Sequence, residues 1–186
     1  VIIDRTSDYL QFNGQQTVKL EADKSAISLL KEEDVISPVF QAINKIYMPR
    51  TENAGGIRIT PILSDNDAPI HDLKSIKRLH FLDPIDKLFL LYKNKLSEFD
   101  IIKQKFIEIF PLVTDVDFTI GNSSNKMSYP ILRIHEVNVE KWIVQTDMSS
   151  GMYRTLSQLV TMVLAEDGDV ILIDEFENSL GVNCIE

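Results

Sequence analysis

Cysteine is nearly missing: Cys184 stands alone in 186 residues. That excludes an internal disulfide framework and suits a reducing, cytoplasmic setting. Nothing approaches the roughly 18 consecutive apolar residues of a membrane span. The longest aliphatic run in the C-terminal part is Val170 to Ile173, and no secretory signal opens the chain, so no membrane partner is expected. Basic charge is in deficit: the net charge of −9 excludes a domain-wide nucleic-acid face while leaving room for a local patch. No histidine pair has metal-ligand spacing and there is no Cys/His cluster for zinc. The serines have no histidine partner at an interpretable spacing, so no nucleophilic triad is read. What is present, 44% apolar and 25% charged residues, is the balance of an ordinary globular protein. The length suits one domain, or one domain with an insertion. Val1-Ile2-Ile3 begins as if within a strand and the chain stops soon after an acidic motif, which reads as a piece of a longer protein.

Asn13-Gly14 lies between two alternating segments, the strongest short hairpin signal, because both turn positions favour positive φ. Tyr9, Phe12 and Val18 are expected to face a core. From Ile27 through Leu30, Val35, Val39, Ile43 and Ile46 to Tyr47 the apolar period turns helical, with Pro38 breaking or restarting it and Ser37 as a cap. Residues 50–69 are loop-rich, and Gly55-Gly56 alone makes no phosphate loop. From Pro84 to Phe110 one apolar side recurs every three or four residues, starting at Asp83-Pro84 and stopped by Pro111. Unbroken, that helix spans roughly 40 Å; the alternative is two helices divided near Ser97. Its stripe is either core packing or an arm that meets a partner. Residues 116–120, 129–137 and 141–146 read as strands, 149–166 as an amphipathic helix, and 169–174 as a strand. His135 and Trp142 read as structural. Lys74, Lys77 and Arg78, between His71 and His80, are either a solvated face or a set of phosphate contacts.

The chemistry concentrates at the end. Val170 to Ile173 run straight into Asp174 and Glu175, and carboxylates at the end of a buried strand are costly unless a cation meets them. Upstream, Ser149-Ser150-Gly151 open a helix whose first turn offers unpaired N–H groups and a positive dipole end, suited to phosphate. A carboxylate pair suits magnesium, which binds one or two carboxylates together with phosphate oxygens. Two other readings of the acids stay open: a salt-bridged strand end, and a nuclease in which Asp174, Glu175 and Glu177 hold metal ions.

"MSSGMYR" (148–154) resembles the signature motif of ABC-type ATPases, and "VILIDEFENSL" (170–180) resembles their Walker B strand and D-loop. The 25 residues from Ser149 to Asp174 also suit that family. The wording "DEFENSL" is most similar to the overcoming-lysogenization-defect-like and related AAA-type, SMC-related ATPases. The likeness is specific over 148–180 and general over 1–20. It implies an α/β, P-loop NTPase (ABC ATPase-like) core fragment: antiparallel strands over 1–22, a helical insertion over 23–114, and the signature helix and Walker B part over 115–186. It implies ATP and Mg²⁺ as cofactors and a head-to-tail homodimer in phage defence or DNA maintenance. Asp174 would hold Mg²⁺ and Glu175 would be the general base. Ser149, Ser150 and Gly151 would reach the nucleotide held by the opposite head, and Ser179 would lie in the D-loop that couples the sites. An effector protein or nuclease, and DNA, are the implied further partners.

The sequence departs from that family in three places. No Gly-x-x-x-x-Gly-Lys-Ser/Thr occurs among glycines 14, 55, 56, 121, 151, 168 and 181; Gly181 stands where many relatives carry a D-loop aspartate or a histidine; and no switch histidine follows. These 186 residues alone are therefore expected to bind ATP poorly and to hydrolyse it negligibly. The rival from another class is a non-catalytic interaction module, or a Mg-dependent nuclease component.

Overall fold

The structure is a computed structural model that describes residues 1–6, 9–16, 25–48, 72–79, 82–122 and 128–173. The chain divides into two compact units. One holds Val1–Tyr47 with Gly168–Val170; the other holds Met48–Asp167 with Ile171–Glu186.

In the first unit, β1 (Ile3–Arg5), β2 (Leu10–Phe12) and β3 (Gln15–Gln16) form an antiparallel sheet in that order. Asn13 and Gly14 have φ of 49° and 83°, so the expected two-residue turn is present. The inward residues are Leu10 and Phe12, two apart on one face, rather than Tyr9 and Phe12, which have opposite parity. Val18 lies outside the described residues.

The helical stretch is broken into α1 (Ala26–Leu29) and α2 (Ser37–Asn44), and Ile46–Tyr47 is strand β4. Ser25, not Ser37, is the serine cap: its Oγ accepts from the Ser28 N–H at 3.1 Å. Ser37 is already helical, after an Ile36 N-cap that makes no side-chain cap bond, and Pro38 sits in the first turn. Leu30 and Ile36 are buried, but Val35, Val39 and Ile43 are 54%, 47% and 45% exposed. The helical reading thus holds in two short pieces, with the restart at Ser37-Pro38, and only Leu30 and Ile36, which lie between them, are buried. Residues Gly168–Val170 belong to this unit through the Val170 N–H, which donates to the Lys45 carbonyl at 2.8 Å, and β8 (Val170–Ile171) pairs with β4.

In the second unit the long helical pattern is two helices, α4 (Pro84–Lys93) and α5 (Ser97–Ile109), preceded by short α3 (Leu73–Lys77). The junction is a Schellman end. The Leu96 N–H donates to the Leu91 carbonyl at 3.0 Å, the Lys95 N–H to the Tyr92 carbonyl at 3.1 Å, and Lys95 takes φ 53°. The apolar stripe is core: Leu88, Leu91, Ile102 and Phe106 are fully buried. They pack in one cluster with Leu132 and Ile134 of the sheet and Leu156 and Val160 of α6 (Ser150–Leu164).

The sheet of this unit runs β5 (Val113–Asn122), β6 (Ser128–Glu136), β7 (Ile143–Val144), all antiparallel. Phe118 opposite Leu132 and Val116 opposite Ile134 face the core; Asp117 opposite Arg133 faces outward. A bulge between Val113 and Asp115 shifts the parity, which lets Val113, three residues before Val116, also point inward. No helix among the described residues is long and apolar enough to cross a membrane.

Candidate functional site

The helix predicted over 149–166 is α6, and its start is built as the serines dictate. Ser149 is extended, with φ −62° and ψ 147°, and its Oγ accepts from the Met152 N–H at 3.1 Å. This cap uses an oxygen lone pair and leaves the hydroxyl proton available to a ligand. Ser149 and Ser150 are exposed, while Gly151 is buried. The first turn itself carries no acidic side chain, so none of its own residues opposes an anion at the dipole's positive end. The first N–H groups of the helix have no intrahelical acceptor. These three residues therefore fit a phosphate group as far as their donors and charge decide.

The same helix is held rigidly behind that end. Leu156, Val160 and Leu164 are buried in the main core, and Ser157 and Thr161 are buried with their hydroxyls donating to the Tyr153 and Ser157 carbonyls at 3.0 and 2.9 Å. Thr155 and Gln158 are buried as well.

The aliphatic run before the acids is less enclosed than its composition suggests. Only Val170–Ile171 is strand, and Val170 and Leu172 are 47% and 50% exposed. A run that is apolar on both faces is built for burial on both. Among the described residues its only pairing is with the two-residue β4, which is too short to cover it. Asp174, Glu175, Glu177 and Ser179 lie outside the described residues, as do Gly55-Gly56, His71 and His80. The structure thus brings Ser149, Ser150 and Gly151 together and is silent on the acid pair. Among the described residues no three His, Cys, Asp or Glu side chains gather as metal ligands.

Of the basic residues on α3, Lys77 faces Glu166 at 3.8 Å, so it is tied to a carboxylate of its own unit. His135 and Trp142 are structural: the Thr114 hydroxyl lies 2.9 Å from His135 Nδ1, and the His135 ring meets Trp142 edge-on at 5.4 Å.

Two features were not read from the sequence. The first is a polar cluster on the outer sheet face. The Arg133 guanidinium lies 4.4 Å from the centre of the Trp142 ring and donates from Nε to Asp117 at 3.0 Å. The second is a small pocket beside the start of α6, lined by Asp83, Asp86, Phe118, Gln145 and Tyr153 among others. It has room for about one water molecule and none for a nucleotide. Its signal was only indirect, since Asp83-Pro84 announces a helix start and says nothing of what faces it.

A family model described as an AAA domain, with reference to the AbiEii toxin of a type IV toxin–antitoxin system, matches residues 14–182. No curated protein and no solved structure matches the chain.

Proposed function

The chain belongs to this AAA-domain family, whose members are P-loop, nucleotide-binding ATPases, and from that premise we propose that it is part of an ABC-type ATPase head that closes head to tail on a second head. The observation that carries the proposal is the start of α6: an exposed, serine-capped terminus with no acidic residue in its first turn, on a helix anchored in the core. It is a donor surface facing outward, as a group that serves a nucleotide on another subunit must be.

In this reading ATP with bound Mg²⁺ supplies the transferable phosphoryl group and its charge neutralisation. Ser149 donates its hydroxyl proton, and Ser150 and Gly151 their N–H groups, to phosphate oxygens held by the partner head. Asp174 would hold the metal ion, through water, and Glu175 would serve as the general base toward the attacking water. Ser179 lies in the segment that couples the two sites. The family description refers to a toxin–antitoxin system; phage defence or DNA maintenance, with an effector or nuclease as the partner, is the setting this reading proposes.

Ser149→Asp tests the division of labour, because aspartate still caps a helix while its charge repels phosphate. In the intact protein, Ser149→Asp and Glu175→Gln should each abolish ATP turnover and leave nucleotide binding in place. Mixed, they form dimers with one intact site, and turnover should return to about a quarter of the wild-type rate. No recovery on mixing, with both variants folded and dimeric, refutes the composite site.

A further inference from the structure

The Asn13–Gly14 turn plays no part in the nucleotide chemistry above, yet it is arranged for a reaction of its own. Both residues are exposed, at φ 49° and 83°, and the Phe12–Gln15 pairing leaves them outside the ladder. Nothing lies within 4 Å of the place a Cβ on Gly14 would take, and the Gly14 N–H has no acceptor among the described residues. Asn13 is held in place: its side-chain Oδ1 accepts from the Ile2 N–H at 3.1 Å, and its backbone N–H donates to the Ile2 carbonyl at 2.9 Å.

We infer that Asn13 is a site of spontaneous deamidation in the folded protein, passing through a succinimide with Gly14. Hydroxide removes the Gly14 amide proton, and the nitrogen attacks Asn13 Cγ. A new N–C bond closes the ring, the Cγ–Nδ2 bond breaks, and ammonia leaves with a proton from water. Water then opens the ring at either carbonyl, giving aspartate or isoaspartate. One water enters overall, one ammonia leaves, and no oxidant or reductant is needed. Glycine matters twice here: it has no side chain to block the attack, and its nitrogen carries no hydrogen bond that must first break. The Ile2 donor already lies on the oxygen where negative charge develops as the ring closes. The isoaspartate product carries the backbone through an extra methylene and adds a carboxylate, so the reciprocal tie between Asn13 and Ile2 is lost.

The experiment holds the intact protein, folded, in mildly alkaline buffer. Samples taken at intervals are digested and mapped by peptide mass and by enzymatic methylation of isoaspartate. Asn13 should convert before Asn44, Asn94 and Asn138, which precede lysine, lysine and valine. Conversion should accelerate with pH and be largely suppressed by Gly14→Ala or, if that variant does not fold, by Gly14→Ser compared with wild type in urea. Conversion of Asn94 or Asn138 ahead of Asn13 overturns the inference. So does an Asn13 that is stable in the native protein and reacts only in urea.

Discussion

Asp117 carries two opposed influences. Burial alone would raise its carboxyl, but hydrogen bonds from Arg133 and Tyr92, the Phe118 N–H and the Arg133 charge together hold it below the usual carboxylate range. The same contact raises the Tyr92 hydroxyl, first through its bond to Asp117 and then through burial. A carboxyl depressed in the folded state contributes stability above its unfolded value of about 3.9, and that contribution is lost as pH falls through the folded value. Asp117→Asn should therefore destabilise the protein by about 1–2 kcal/mol at neutral pH. In urea titrations the deficit should shrink steadily below about pH 4. An equal deficit at neutral and acid pH would mean that shape, not charge, holds this cluster. None of this was legible beforehand, although residues 116–120 and 129–137 read correctly as strands. Asp117 and Arg133 meet only through the cross-strand register, and no local pattern states a register. By contrast the Ser149 cap was legible, because a cap is decided within three residues.

At the scale of elements, the local signals that succeeded are those with steric force. Pro84 and Pro111 bracket the helical region, and Asn13-Gly14 makes the turn. Periodicity between 27 and 47 found helix, in two pieces, but did not tell burial: Val39 and Ile43 of the second piece stay exposed. Spacing reports which side of a helix is apolar, not whether anything covers it. The α4–α5 junction shows a further limit. A Schellman end normally announces itself by glycine at the left-handed position, and here Lys95 occupies it at φ 53°. A lysine there bears a backbone cost that glycine escapes. Glycine also gains freedom in the unfolded chain, which offsets part of the benefit. Lys95→Gly should leave the structure intact and raise stability by up to about 1 kcal/mol, read as a higher denaturation midpoint at unchanged slope. A loss of more than about 1 kcal/mol would show that the Lys95 side chain matters more than its backbone.

At the scale of the whole molecule, the two units differ most in how much core each owns. The second is built around a continuous cluster that joins α4, α5, α6 and the β5–β6 pair, with Leu88, Leu91, Ile102, Phe106, Leu132, Ile134, Leu156 and Val160 all fully buried. Among the described residues the first buries Leu10, Leu30 and Ile36, with a few partly covered neighbours. Each fully buried aliphatic or aromatic side chain contributes about 1.5–3 kcal/mol, so the burial seen among the described residues holds the second unit closed by several times more than the first. This division was not legible, since it depends on a long-range return, the Val170 N–H to the Lys45 carbonyl, that no window of sequence contains. Local opening follows the smaller core. In native hydrogen exchange of the chain, amides of β2, such as Leu10 and Phe12, should exchange at least about tenfold faster than those of Leu132, Leu156 and Val160. Adding mild denaturant should bring the first group to exchange long before it affects the second. Equal protection of the two groups, converging on one opening free energy, would mean that the units unfold as a single cooperative body despite their separate cores.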